Sequence, residues 1–146
     1  MAGTTGMRCL EGCDVFVDVR ACSLSCPQCG GLLDVSHTDP DRDKWTGAQW
    51  RECFDARRGR GGYPGGSGVW LYKEWVMPHL PEESIVSLGE GNTPFIEFPR
   101  LAEHVGVTRL AVKSCGVSPT GSFKDLGMTV LVSVVNWLRA SGSPLK

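Results

Sequence analysis

The hydrophobic and polar positions change texture twice along the chain. Residues 15–19, VFVDV, alternate and read as a short strand with one buried face. CPQCGGLLDV at 26–35 reads as a Cys-x-x-Cys turn closed by Gly30 and Gly31 and leading into a second short strand. DPDRDKWTGAQWRECFDARR, 39–58, reads as helical in pieces, with Asp39 or Asp41 as N-caps. GRGGYPGGSG, 59–68, has six glycines in ten residues and is a loop. VWLYKEWVM, 69–77, reads as a short helix stopped by Pro78, with Trp70 and Glu74, then Leu71 and Trp75, at i,i+4 spacing.

From residue 86 the texture is α/β. PRLAEHVG, 99–106, reads as a helix with Pro99 in its first turn and Gly106 past its end, and RLAVKS, 109–114, reads as a strand. The valine-rich run at 128–138 is too long for an ordinary strand and follows Ser122-x-x-Asp125, which has the form of a capping box with Asp in place of Glu or Gln. A helix from Phe123 to Ala140 is predicted, with Gly142 and Pro144 fitting its end. Leu126, Met128, Val130, Leu131, Val134, Val135 and Leu138 wrap most of its circumference, so it is predicted to be buried. Three segments result: a Cys-rich ribbon-like segment 1–38, a Trp-rich helical segment with a Gly-rich loop 39–85, and the start of an α/β domain 86–146.

The composition adds limits. At 146 residues, 41% hydrophobic and 21% charged, the chain can build a core; a net charge of −1 gives no general attraction to nucleic acid or anionic membrane. No apolar run is long enough to span a bilayer, and the first residues look like neither a secretory signal nor a transit peptide. Seven cysteines, an odd number with five crowded into residues 9–29, argue against a secreted disulfide framework and for a reducing, cytoplasmic setting. ARRGRGG at 56–62 reads as a solvated loop whose arginines can face a carboxylate or a partner subunit, rather than as an RNA-binding element.

Two places carry chemistry. Cys9-x3-Cys13 and Cys26-x2-Cys29 are separated by twelve intervening residues, a pattern similar to a zinc ribbon, with Cys22 as a spare. The alternative is reduced cysteines packed in a small β knuckle. The second place is SPTGSFKDLGM, 118–128. With Ser122 as N-cap, Lys124 falls at the second helical position, where the helix dipole and desolvation both disfavour its ammonium form. A lysine that sheds its proton readily is a nucleophile toward carbonyl groups, and a helix start also favours a nearby anion. The alternative is a lysine that extends into solvent. Asp125 is expected to complete the cap, and Gly121 to permit a close backbone approach.

SPTGSFKDLGM resembles the lysine motif of the pyridoxal-phosphate enzymes of the tryptophan synthase β-like fold (fold type II), and SLGEGNTP at 87–94 resembles the opening of threonine synthases. GGLLDV, GSGVW and KEWV are similar to the plant-type branch, as is Cys115 two places after Lys113, where many members have Lys-x-Glu. The resemblance covers roughly residues 26–146. It implies part of a doubly wound sheet behind a small Cys-rich β knuckle, with pyridoxal phosphate carried by Lys124, the residue that then moves protons between substrate carbons. It implies conversion of O-phospho-L-homoserine and water to L-threonine and phosphate by a homo-oligomer, with GEGNTP near the substrate. By the same resemblance the ring-contacting and phosphate-binding loops lie beyond residue 146, so the chain is expected to be an N-terminal portion, inactive alone. The alternatives are a related lyase, dehydratase or cysteate synthase-like enzyme and, from another class, a zinc-ribbon binding module with a vestigial enzyme segment. Zinc, on the Cys9, Cys13, Cys26 and Cys29 set, is the second cofactor expected beside pyridoxal phosphate.

Overall fold

The computed structural model describes residues 3–39, 44–59 and 66–142. Three strands open the chain: β1 Thr4–Cys9, β2 Phe16–Asp18 and β3 Leu33–Thr38. They form an antiparallel sheet in the order β2-β1-β3, with Met7 opposite Val17 on one side and Val35 on the other. The two expected strands are thus present as β2 and β3. The central strand, β1, has no clear apolar alternation in TTGMRC and is held by pairing on both edges.

Helix α1 spans Gly47–Arg57. Its N-cap is Thr46, not Asp39, because Thr46 and Gln49 form a reciprocal capping box: the Gln49 N–H donates to Thr46 Oγ1 at 3.3 Å and the Thr46 N–H to Gln49 Oε1 at 2.8 Å. Asp41, the other expected cap, lies outside the described residues, as do loop residues 60–65 and Pro144. A 3₁₀ turn, Trp70–Tyr72, runs into the one-turn helix α2, Lys73–Val76, which ends ahead of Pro78 as expected. Trp45, Trp50, Phe54, Tyr72 and Trp75 form an aromatic cluster between α1 and this turn, with ring centroids 4.6–5.7 Å apart. Arg57 of the basic stretch faces a carboxylate, bonding both oxygens of Glu74 at 2.7 and 2.5 Å.

Strand β4, Phe95–Glu97, helix α3, Pro99–Val105, and strand β5, Ala111–Lys113, follow. Pro99 starts α3 and Gly106 ends it in the left-handed region, as the sequence predicts. β4 and β5 pair antiparallel, Ile96 opposite Val112, as a separate two-stranded sheet. Among the described residues these strands do not join a larger parallel, doubly wound sheet. The fold seen is mixed α/β with two small sheets.

Helix α4 spans Asp125–Ala140. It docks through hydroxyls rather than through an all-round apolar surface. Thr129 and Ser133 are buried, whereas Met128, Leu131, Val132 and Val135 are exposed, so the buried helix expected from the sequence is only half covered. Trp70, Met77 and Leu80 form the core, packed by Val19 beyond β2 and by Val130, Val134 and Trp137 of α4.

Candidate functional site

Lys124 sits on a turn that the chain ties down on both sides. Gly121 donates its N–H to the Ser118 carbonyl at 2.8 Å and has a φ of 77°, a conformation that favours glycine. No neighbouring atom lies within contact range of where its Cβ would stand, so the turn, rather than the expected close approach, is what asks for glycine. Ser122 Oγ accepts the Lys124 N–H at 3.2 Å. The expected capping box does not form: both oxygens of Asp125 are taken by Thr120, from its N–H at 2.9 Å and its hydroxyl at 2.5 Å. Backbone bonds from Asp125 to Ser122 and from Leu126 to Phe123 make a tight turn before the helix proper. Lys124 is therefore the N-cap residue, not the second helical one, and its side chain is exposed rather than set against a core.

The 87–94 loop is built against the glycine loop before Trp70. Gly89, Gly91 and Asn92 all have positive φ, of 82°, 89° and 51°. The Gly68 N–H donates to the Glu90 carbonyl at 2.7 Å, and a Cβ on Gly68 would fall 2.1 Å from the Asn92 nitrogen, so no side chain fits there. Glu90 is buried, accepting the Ser87 hydroxyl at 2.5 Å and the Leu88 N–H at 3.0 Å. Burial works against its charge, but these donors outweigh burial and hold the carboxyl below its usual range.

The loop and the lysine turn meet across one cleft. Val86, Leu88 and Glu90 line one side, and Thr120, Asp125, Met128, Thr129 and Val132 the other. Lys124, next in the chain to Asp125, does not line the cleft, and its ammonium meets no acceptor among the described residues. Lys113 Nζ donates to the Thr93 carbonyl at 2.5 Å and is thereby engaged. Residue pattern alone does not announce the contacts that hold the two motifs, Ser87 and Leu88 on Glu90 in the loop and Thr120 on Asp125 in the lysine turn.

The second expected cluster also converges. The sulfurs of Cys9, Cys13, Cys26 and Cys29 all lie within 4.8 Å of one another. Cys22, the spare, is exposed and stands outside this group, as do Cys53 and Cys115.

Residues 86–143, the stretch holding both the loop and Lys124, match the family described as pyridoxal-phosphate dependent enzyme. The chain is 47% identical over 119 residues to threonine synthase 2, chloroplastic, of Arabidopsis thaliana, covering 81% of this chain and 23% of that protein. It is 37% identical over 132 residues to a threonine synthase of Methanocaldococcus jannaschii, covering 90% of this chain and 29% of the relative, and 35% identical to one of Methanosarcina acetivorans, covering 87% and 27%. The chain thus spans about a quarter of the length of these relatives. The segment that carries Lys124 matches the family of pyridoxal-phosphate dependent enzymes, and the relatives to which the chain is similar are threonine synthases.

Proposed function

We propose that this chain supplies the lysine-bearing part of a threonine synthase that turns O-phospho-L-homoserine and water into L-threonine and phosphate. The observation that carries the reading is Lys124 itself: a primary amine exposed on a clamped turn, without an acceptor of its own among the described residues, inside the matched segment. Those features fit a carbonyl cofactor, which needs an amine that is reachable and not already bonded. Pyridoxal phosphate, when bound, supplies the electron sink for chemistry at the substrate carbons.

The chain's own residues then have distinct tasks. Lys124 holds the cofactor and later carries a proton between substrate carbons. The Thr120–Asp125 clasp fixes the turn on which the lysine sits. The 87–94 loop, stiffened by its buried Glu90 and its packing on Gly68, borders the cleft through Leu88 and Glu90 and positions the substrate. The rest of the machinery, the assembly of subunits and a cytoplasmic setting belong to the same proposal. The plant relative carries "chloroplastic" in its name, and no helix among the described residues is long and apolar enough to cross a membrane.

Borohydride reduction in the presence of pyridoxal phosphate, followed by peptide mapping, is expected to place the pyridoxyl group on the peptide containing Lys124. Label at Lys113 instead defeats the assignment. In a threonine synthase of full length that includes this segment, Lys124→Ala is expected to lower phosphate release from O-phospho-L-homoserine by at least about 10²-fold. Ammonia release from threonine or serine, without phosphate release from the phosphoester, would favour the dehydratase. The 146-residue chain alone is proposed to be inactive.

A further inference from the structure

We propose that Cys9, Cys13, Cys26 and Cys29 form a structural zinc site that holds the N-terminal sheet together. The four residues come from two places that only the fold unites. Cys9 ends β1 and Cys13 follows in the next turn, while Cys26 and Cys29 bracket the turn before β3. Pairing of Cys9 with Leu33, and the bond from the Leu10 N–H to the Leu32 carbonyl at 3.0 Å, bring the two together.

The geometry fits a tetrahedral thiolate set. Zn–S bonds of about 2.3 Å place the sulfurs about 3.8 Å apart along each edge of the tetrahedron. Here Cys9 and Cys29 are 3.5 Å apart, and every pair lies within 4.8 Å, so closing on an ion needs shifts of an ångström or less. The same 3.5 Å is far beyond the roughly 2 Å of a disulfide bond. A disulfide, moreover, would account for two of the four sulfurs and leave the convergence of the others unexplained.

The backbone is shaped for the task. The x3 spacing of the first pair is longer than the usual x2, and Gly12, with a φ of 82°, tightens the turn while its N–H reaches the Cys9 carbonyl at 3.4 Å. In the second pair, Gly30 has a φ of 76° and donates to the Cys26 carbonyl at 2.8 Å. The Gly31 N–H points at the Cys29 sulfur at 3.4 Å, the placement that offsets charge on a thiolate. A Cβ on Gly31 would sit 3.2 Å from that sulfur and 2.7 Å from Glu11 Cγ, so glycine keeps the site open.

Apolar packing is sparse around the four cysteines. Leu10, Leu24 and Leu32, its leucines nearest the cluster in sequence, are 60%, 96% and 69% exposed, whereas Cys9 and Cys26 are buried. An apolar core is not what holds this end of the sheet. In small metal sites binding free energy is folding free energy, and four thiols that bind one zinc release their protons as they do so.

The test uses the 146-residue chain made with zinc present and purified without oxygen. Elemental analysis is expected to find about one zinc per chain. Cobalt exchanged for zinc is expected to give the charge-transfer and visible bands of a tetrahedral all-thiolate site. Cys26→Ser and Cys29→Ser are expected to reduce bound metal to below about a tenth, while Cys22→Ser, Cys53→Ser and Cys115→Ser retain it. Cys26→His, which keeps a ligand, is expected to hold cobalt with a shifted spectrum, so a folding failure of the serine variants is not mistaken for support. Protein that contains no metal while all seven thiols titrate as free overturns the proposal. So does a Cys9–Cys29 disulfide in the oxygen-free preparation, an octahedral cobalt spectrum, or metal loss in Cys22→Ser equal to that in Cys26→Ser.

Discussion

Glu90 places a carboxylate where only 6% of the residue is exposed, which is unfavourable unless its oxygens are supplied with donors. Ser87 and Leu88 supply them, and the carboxyl is held below its ordinary value of 4.5 despite burial. The consequence for stability has a definite sign. Because the folded-state value is lower than the unfolded one, the contribution is complete above the ordinary value and disappears as pH falls through the lowered one. Glu90→Gln is therefore expected to flatten the decline in urea midpoint below about pH 4.5, while lowering the neutral plateau. Some slope remains in the variant. Asp18, bonded by Arg20, and Glu74, where Arg57 outweighs burial, are also held below their ordinary values. Acid limbs of equal slope for the two proteins would show that folding does not lower the value of the Glu90 carboxyl.

At the scale of the element, α4 turns two hydroxyls inward. The Trp70 indole N–H donates to Thr129 Oγ1 at 2.9 Å, and the Thr129 hydroxyl donates to the Val86 carbonyl at 2.8 Å. The Val86 N–H in turn donates to Ser133 Oγ at 2.9 Å. Thr129→Val keeps the shape but leaves a buried indole N–H without its acceptor, which is expected to cost about 1–3 kcal/mol in urea unfolding. Val132→Thr, on the exposed side of the same helix, is expected to stay within about 0.5 kcal/mol. Equal losses in the two variants would mean that the hydroxyl face does not dock the helix. The helix was legible in the sequence from its length, its apolar content and its following glycine. Its buried face was not, because a count of apolar positions cannot see that a threonine and a serine have backbone and indole partners waiting. The same reason explains α1: the rule for N-caps admits Asp39 and Thr46 alike, and only the Gln49 side chain decides for Thr46. β1 and the antiparallel partnership of β4 and β5 depend on residues distant in sequence, so short-range alternation could not give them. Of the site, the two motifs and the four cysteines that converge were legible from residue type and spacing, while the clasp of Thr120 on Asp125 and the burial of Glu90 needed the fold.

At the scale of the whole molecule, the three stretches that differ in sequence texture share one knot. Trp70 is fully buried; around its cluster pack Val19 from beside the first sheet, Val76 and Ile85 from the middle stretch, and Val130, Val134 and Trp137 from α4. The small sheet, the turn before α2 and the lysine-bearing helix therefore lean on the same side chains. Contacts shared in this way make unfolding cooperative, because loosening one stretch removes the packing of the others. Urea unfolding followed by tryptophan fluorescence and by far-ultraviolet circular dichroism is expected to give coincident transitions. Trp70→Phe removes the bond to Thr129 and part of the buried ring, and is expected to lower both midpoints together by the equivalent of about 1–4 kcal/mol. A biphasic transition in which Trp70→Phe moves only one phase would mean that the sheet and the helix fold as separate units. Coincident loss would instead mean that the turn carrying Lys124 is held in place by a residue 54 positions earlier in the chain, and that the geometry of the lysine site depends on the core behind it.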